Sequence, residues 1–186
     1  IGVLKSTDAG LTWAEVGNIG GTLRDIVVDP ADEDIVYVAS NGGVYKTVDG
    51  GTNWNQLLTG SYRDLELKPG VASTVYAATS DEVRYSTDSG ATWTVSTGIP
   101  SGSSRIALAV TPANNAYIYV LRANGGGDYG GVYRSTNSGV SFTPRNTTTD
   151  VFDGSSQSWY DMAIGASATN AEVIFTGVLN VWRSTN

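Results

Sequence analysis

Few residue types in this chain could do chemistry. It contains no His and no Cys. The usual acid–base group near neutral pH and the commonest metal ligand are therefore missing. Thiolate nucleophiles, disulfides and Cys-ligated zinc are excluded as well. Catalysis would have to run on carboxylates, Tyr, Lys or Ser. Two sets of carboxylates recur at fixed places. One set, Asp8, Asp49 and Asp88, stands five residues before a Trp each time. The other follows an Arg, in Arg24-Asp25 and Arg63-Asp64, with Ile106-Ala107 and Tyr160-Asp161 at the equivalent places.

The first set belongs to a repeated box. Ser6-Thr7-Asp8-Ala9-Gly10-Leu11-Thr12-Trp13 returns as Thr47-Val48-Asp49-Gly50-Gly51-Thr52-Asn53-Trp54 and as Ser86-Thr87-Asp88-Ser89-Gly90-Ala91-Thr92-Trp93. A weaker copy is Ser135-Thr136-Asn137-Ser138-Gly139-Val140-Ser141-Phe142, and a fifth starts at Ser184-Thr185-Asn186. Successive starts lie 41, 39, 49 and 49 residues apart. A short carboxylate at this position accepts hydrogen bonds from N–H groups of its own turn, and Asn137 can do so without the charge. Gly10, Gly51 and Gly90 suit positive φ. Trp13, Trp54 and Trp93 are expected to pack over the turn and bury apolar area. A group present in every repeat reads as scaffold, because a catalytic site occurs once. No metal and no cofactor is expected.

The rest of each repeat is four short strands. A first strand such as Asp25–Asp29 stops before Pro30, since Pro cannot donate a ladder hydrogen bond. An apolar second strand follows, Ile35–Ala39 in that copy, then Gly43–Lys46, the box, and a fourth strand at Trp54–Leu57. Periods of about 40–50 residues match propeller blades. The expected fold is all-β: a β-propeller portion of four-stranded antiparallel blades, with the box in the hairpin between third and fourth strands. Residues 24–57, 63–95 and 105–143 read as complete blades, 1–16 and 159–186 as partial ones. No segment has a helical apolar period. Val3-Leu4-Lys5 and Val181-Trp182-Arg183 are copies of the same third strand. The ends therefore do not complement one another, and the expectation is a larger propeller continuing on both sides.

Within such a blade the first strand lines the central channel. Arg24, Asp25, Arg63, Asp64 and Asp161 could there bind a polar ligand or ion, or could satisfy one another as Arg–Asp neighbours. Two loops break the repeat. One is the Gly-rich run Asn124–Gly131, which lacks the Gly-Lys-Ser/Thr and helix of a phosphate loop. Its single carboxylate, Asp128, is too little for a Ca²⁺ site. The other spans Pro144–Ser158 and leads into Trp159-Tyr160. Loops on a rigid scaffold carry function. Trp159 and Tyr160 beside Asp153 could stack on a sugar ring and hydrogen-bond its hydroxyls, or could pack between blades.

The 186 residues carry 11 Lys and Arg against 18 Asp and Glu, a net charge of −7. That excludes nucleic acid as a partner, since such binding rests on cations neutralising phosphates. No apolar run of about 18 residues is present to span a membrane as a helix. The chain opens at Ile1 without a signal-like pattern and reads as a processed or excised piece.

The pattern Ser-x-Asp-x-Gly-x-Thr-Trp resembles the Asp-box, or BNR repeat. The family includes sialidases, xyloglucanase-type glycosidases, the sortilin luminal domain and photosystem assembly factors. The strings Gly43–Gly51 and Ser158–Ile164 are similar to large secreted bacterial BNR proteins. The resemblance implies a secreted or cell-surface propeller. Its partners would be a protein or glycan ligand and further blades or an associated subunit. The sialidase Arg-Ile-Pro signature is absent; the nearest string is Gly98-Ile99-Pro100, and Arg105 stands one place out of register with Arg24 and Arg63. No catalytic residue is therefore carried over. The reading is a non-catalytic scaffold or binding module. The alternative is a fragment of a glycoside hydrolase acting on polysaccharide.

Overall fold

The structure is a computed structural model that describes residues 2–184. Ile1 and the last two residues of the fifth box copy, Thr185 and Asn186, lie outside the described residues. Among the described residues, short runs of β-branched and aromatic residues, punctuated by Gly and Pro, form seventeen strands and one single-turn helix. Strands β1 (Leu4–Lys5) and β2 (Ala14–Glu15) pair as a hairpin. Strands β3 (Leu23–Asp29), β4 (Asp32–Ser40), β5 (Gly43–Thr47) and β6 (Asn55–Thr59) form an antiparallel sheet in chain order. The same order holds for β7 (Asp64–Leu67), β8 (Val75–Ala78), β9 (Val83–Ser86) and β10 (Thr94–Val95). It holds again for β11 (Ser103–Val110), β12 (Ile118–Asn124), β13 (Tyr129–Ser135) and β14 (Thr143–Asn146). A helical turn, α1 (Ser158–Asp161), precedes the three-stranded sheet β15 (Ala163–Ala166), β16 (Ile174–Gly177) and β17 (Val181–Ser184).

The chain divides into two compact units, residues 1–65 and 66–186. In the first, Val3, Ile19 and Val38 are buried together, with Val16, Val36, Tyr45 and Trp54 packed on them. The second shows how side-chain alternation builds two cores from one strand. Strand β12 is apolar at nearly every position and buried along its length. Its Ile118 and Val120 join Tyr76, Ile106, Leu108, Tyr133 and Phe142 on one face. Its Tyr119, Leu121 and Ala123 join Phe152, Met162 and Ile174 on the other. A central strand covered on both faces reads as a continuous apolar run, here Ile118–Leu121, before Arg122 interrupts it.

Each box closes the hairpin between a third and a fourth strand. In the first, Asp8 Oδ1 accepts from Ser6 Oγ at 2.8 Å and from Thr12 N at 2.9 Å, and Oδ2 accepts from Thr12 Oγ1 at 2.5 Å. Asp88 does the same with Ser86 and Thr92. Asp49 does so with Thr47 and Asn53. Asn137 accepts from Ser135 Oγ and Ser141 N, and donates to Ser141 Oγ at 2.9 Å. The first hydroxyl of each box also accepts from the Gly10, Gly51, Gly90 or Gly139 amide. Asp8 and Asp88 are held at pKa values of about 2, chiefly by the Thr12 and Thr92 side chains.

The box aromatics differ from the expected uniform burial. Trp13 is 62% exposed, Trp54 and Trp93 are half-buried, and Phe142 is 3% exposed. Among the described residues the difference follows from what lies beside each turn. Trp54 Nε1 donates to Gly51 O in its own box and, at 2.9 Å, to Val16 O, just past the fourth strand β2. Phe142 N donates to Thr97 O at 2.8 Å and Ser96 Oγ donates to Gly139 O at 2.6 Å, just past the fourth strand β10. A glycine stands at both meeting points. A Cβ on Gly17 would collide with the Trp54 indole, and one on Gly98 with the Phe142 backbone. Trp13 has only its own hairpin, donating to Gly10 O.

Two outcomes follow. Trp54→Ala should cost about 2–3 kcal/mol, below the range for fully buried aromatics, and Trp13→Ala within about 0.5 kcal/mol. Urea unfolding of both variants measures this, and equal losses would contradict the inter-sheet contact. The lowered pKa of Asp88 contributes stability above the ordinary carboxylate value, lost as pH falls from about 4 towards 2. Asp88→Asn, which copies Asn137, should therefore gain thermal midpoint relative to the native chain as the medium is acidified over that window.

Candidate functional site

The first group of sequence-predicted residues lies on inner strands. Arg24 and Asp25 sit on β3, Arg63 just before β7, and Asp64 is the first residue of β7. Asp25 Oδ1 accepts from Ile26 N at 2.8 Å, and Oδ2 accepts from Leu65 N at 2.7 Å. This carboxylate thus holds the backbone at Leu65, at the end of the first unit. Burial pushes its pKa up, opposed by the Leu65 and Ile26 amides. Arg24 is exposed. Arg63 and Asp64 are half-buried, and both are engaged with other groups. In the β11 sheet, Ala107 takes the place of the carboxylate and is 6% exposed. Both Asp25 oxygens thus accept from backbone amides.

The second group is built by the two irregular loops. Asp150 Oδ1 accepts from Phe152 N at 2.7 Å and Oδ2 from Gly154 N at 2.9 Å, which turns the chain after β14. Asp153 lies in the left-handed region, with φ 55°. Phe152 is 1% exposed and meets Tyr129 edge-on at 5.3 Å, so the loop is anchored in the core beneath it. The Gly-rich loop is folded on Asn124, whose Oδ1 accepts from Gly126 N and Asp128 N. The two loops are bolted together by Ser158. Its side chain is buried and donates to Gly127 O at 2.5 Å. Its carbonyl accepts from Arg105 Nη1 at 3.2 Å.

Ser158 opens α1, where Trp159, Tyr160 and Asp161 lie. The sequence reading placed Tyr160-Asp161 at the start of the first strand and expected no helix. The structure starts that strand at Ala163, after one helical turn. Four residues are too few to display a helical apolar period. Trp159 is 64% and Tyr160 50% exposed, so neither is packed away between sheets. Their rings meet edge-to-face, with centroids 4.0 Å apart and planes at 70°. Tyr160 OH donates to Gln157 Oε1 at 3.1 Å. Met162, buried at 4% exposure, roots the turn in the core. Asp161 is half-buried. Asp153 Oδ2 accepts from Asn180 Nδ2 at 2.6 Å, tying the second loop to the turn between β16 and β17. The geometry is an exposed aromatic pair with amide, carboxylate and phenol groups on neighbouring loop residues.

Ser158, Arg105, Gln157 and Asn180 were missed as supports of this site. A lone hydroxyl such as Ser158 or guanidinium such as Arg105 carries no sequence signal of a partner dozens of residues away. Among the described residues no group of three or more His, Cys, Asp or Glu could hold a metal ion.

No family model matches the chain. A stretch of 64 residues, 30% of this chain and 8% of the relative, is 36% identical to a probable oligoxyloglucan-reducing end-specific xyloglucanase of Neosartorya fischeri. Among solved structures, an ancestral GH74 enzyme matches with a TM-score of 0.76 and 21% identity, over 94% of this chain and 24% of its own. The GH74 enzyme of Niastella koreensis matches with a TM-score of 0.70 and 22% identity, over 98% of this chain and 32% of its own. The chain thus spans about a third or less of each of these three proteins. At these identities the likeness shows the fold: an all-β propeller segment whose sheets resemble the blades of those enzymes.

One prediction concerns Asp25. A folded-state pKa raised by burial contributes stability that is full below the ordinary carboxylate value and is lost as pH rises through the folded value. Asp25→Asn keeps an acceptor for the Leu65 amide. It should therefore gain stability relative to the native chain as pH is raised from about 3 to about 7. Urea midpoints across that range test it; a constant difference would mean that the carboxylate is not desolvated.

Proposed function

We propose that this chain is part of a larger extracellular β-propeller of the Asp-box kind that holds polysaccharide, contributing a glycan-binding surface. The observation that carries this reading is the exposed Trp159–Tyr160 pair, held on two loops that Ser158 fastens together. An aromatic face buries the apolar face of a pyranose ring at little entropic cost when it is already fixed. The Asp153–Asn180 pair and the Tyr160 hydroxyl supply polar groups for sugar hydroxyls. The likeness to xyloglucanases supports a glucan-type backbone as ligand, and the share of those chains covered supports further blades in the working protein. Among the described residues no helix is long and apolar enough to cross a membrane. The backbone-bound state of Asp25 supports a scaffold role for the inner carboxylates.

A second reading is favoured by the same xyloglucanase likeness: a hydrolase fragment that supplies one of the two carboxyls. Glycoside cleavage needs a pair roughly 5–9.5 Å apart across the scissile bond. Asp161, next to the aromatic pair, is the carboxylate this reading would use.

Titration with xyloglucan oligosaccharides by calorimetry tests the first reading. Trp159→Ala should weaken binding roughly fivefold, the worth of about 1 kcal/mol of stacking, with an unchanged circular dichroism spectrum. Unaltered affinity would sink it. Reducing-sugar release by the protein that contains this chain, abolished by Asp161→Asn, would establish the second.

A further inference from the structure

Two Asn-Gly pairs occur in the chain, Asn41-Gly42 and Asn124-Gly125. Such a pair can react with itself. The glycine nitrogen is tethered next to the asparagine side-chain carbon, and the missing glycine Cβ leaves the approach open. The two pairs are held differently. Asn124 ends β12 and is half-buried, while Gly125 is exposed. Asn124 Oδ1 accepts from Gly126 N at 2.9 Å and from Asp128 N at 3.1 Å. Two backbone donors on one carbonyl oxygen polarise it. They also stand ready to stabilise the negative charge that the oxygen gains when its carbon is attacked. The loop is closed around them by Asn124 N to Asp128 O at 2.9 Å and by Gly127 N to Asn124 O at 3.0 Å. Among the described residues Gly125 N donates to no acceptor, so the attacking nitrogen is unengaged. At the other pair, Asn41 Oδ1 accepts from one amide, Thr22 N, at 2.8 Å. Gly42 N donates to Ser40 Oγ at 3.0 Å, so its nitrogen is already engaged.

We propose that Asn124-Gly125 is a self-modification site, at which the folded loop speeds conversion of its own asparagine to aspartate and isoaspartate. Solvent base takes the Gly125 N–H proton. The nitrogen bonds to Asn124 Cγ, and the carbonyl electron pair moves onto Oδ1, between the Gly126 and Asp128 amides. The pair returns, the Cγ–Nδ2 bond breaks, and Nδ2 takes a proton from water and leaves as ammonia. A five-membered succinimide remains. Water then opens this ring. Attack at Cγ restores the peptide bond and leaves aspartate at position 124. Attack at the main-chain carbonyl leaves isoaspartate. One water enters, one ammonia leaves, and nothing is oxidised or reduced. The aspartate form keeps an acceptor for both amides and sets a second carboxylate in the loop with Asp128. The isoaspartate form adds a carbon to the main chain of the loop whose Gly127 carbonyl accepts from Ser158. The modification therefore acts on the support of the Trp159–Tyr160 pair.

The test incubates the whole chain in mildly alkaline buffer, folded and in concentrated urea. Proteolytic peptides that carry Asn41 and Asn124 are then followed by mass spectrometry for the exchange of amide for acid. In the folded chain Asn124 should convert roughly tenfold faster than Asn41, the mark of the extra oxyanion donor and the unengaged nitrogen. Asn124 should also convert faster in the folded chain than in urea, where no amide is held on Oδ1. Two results would overturn the proposal. One is a folded-state rate at Asn124 equal to or below its rate in urea, which would make the loop a brake. The other is equal conversion of Asn41 and Asn124 in the folded chain, which would reduce the reaction to the dipeptide alone.

Discussion

The contact on which most of the structure depends is small. The box of one sheet rests on the backbone just beyond the outer strand of another, at Val16-Gly17 for Trp54 and at Thr97-Gly98 for Phe142. Single sheets of four strands, some with strands of only two residues, bury too little by themselves to be stable. Every such sheet needs a neighbour on each face, which is why β12 is apolar on both sides. The outer contact is therefore a condition for the burial of everything further in. Within the first unit, Asp25 makes a further long-range tie, to the Leu65 amide.

Two uses of Asp stand side by side. On the rim, Asp8, Asp49 and Asp88 remain in water, and their charges are met by hydroxyls and amides within a few residues. The Asn137 turn keeps the same geometry with no charge, so the turn requires an acceptor of the right length rather than an anion. Inside, Asp25 is partly desolvated and its charge costs something to keep, offset by two amide donors.

Legibility in the sequence tracked the range of the interactions. The boxes and strands were readable because the residues of each hairpin lie within a dozen positions of one another. The all-β propeller class was readable because the period is that of a blade. The site was only half readable. Trp159, Tyr160 and Asp153 stood out as departures from the repeat, but their supports did not. Ser158 reaches back 31 residues to Gly127, and Arg105 reaches forward 53 residues to Ser158. The exposure of the aromatics was not readable either. Whether a Trp is covered depends on what the preceding hairpin or sheet places against it, as the Val16 contact of Trp54 shows.

The Ser158–Gly127 bond makes two insertions into one heritable module. A lineage that lengthened the glycine hairpin alone would lose the acceptor for Ser158, and one that altered the second loop alone would strand a carbonyl. Both loops must drift in step, or the aromatic pair loses its footing. Variation at the aromatic pair among kindred chains should thus arrive as paired changes in segments that look unrelated on paper.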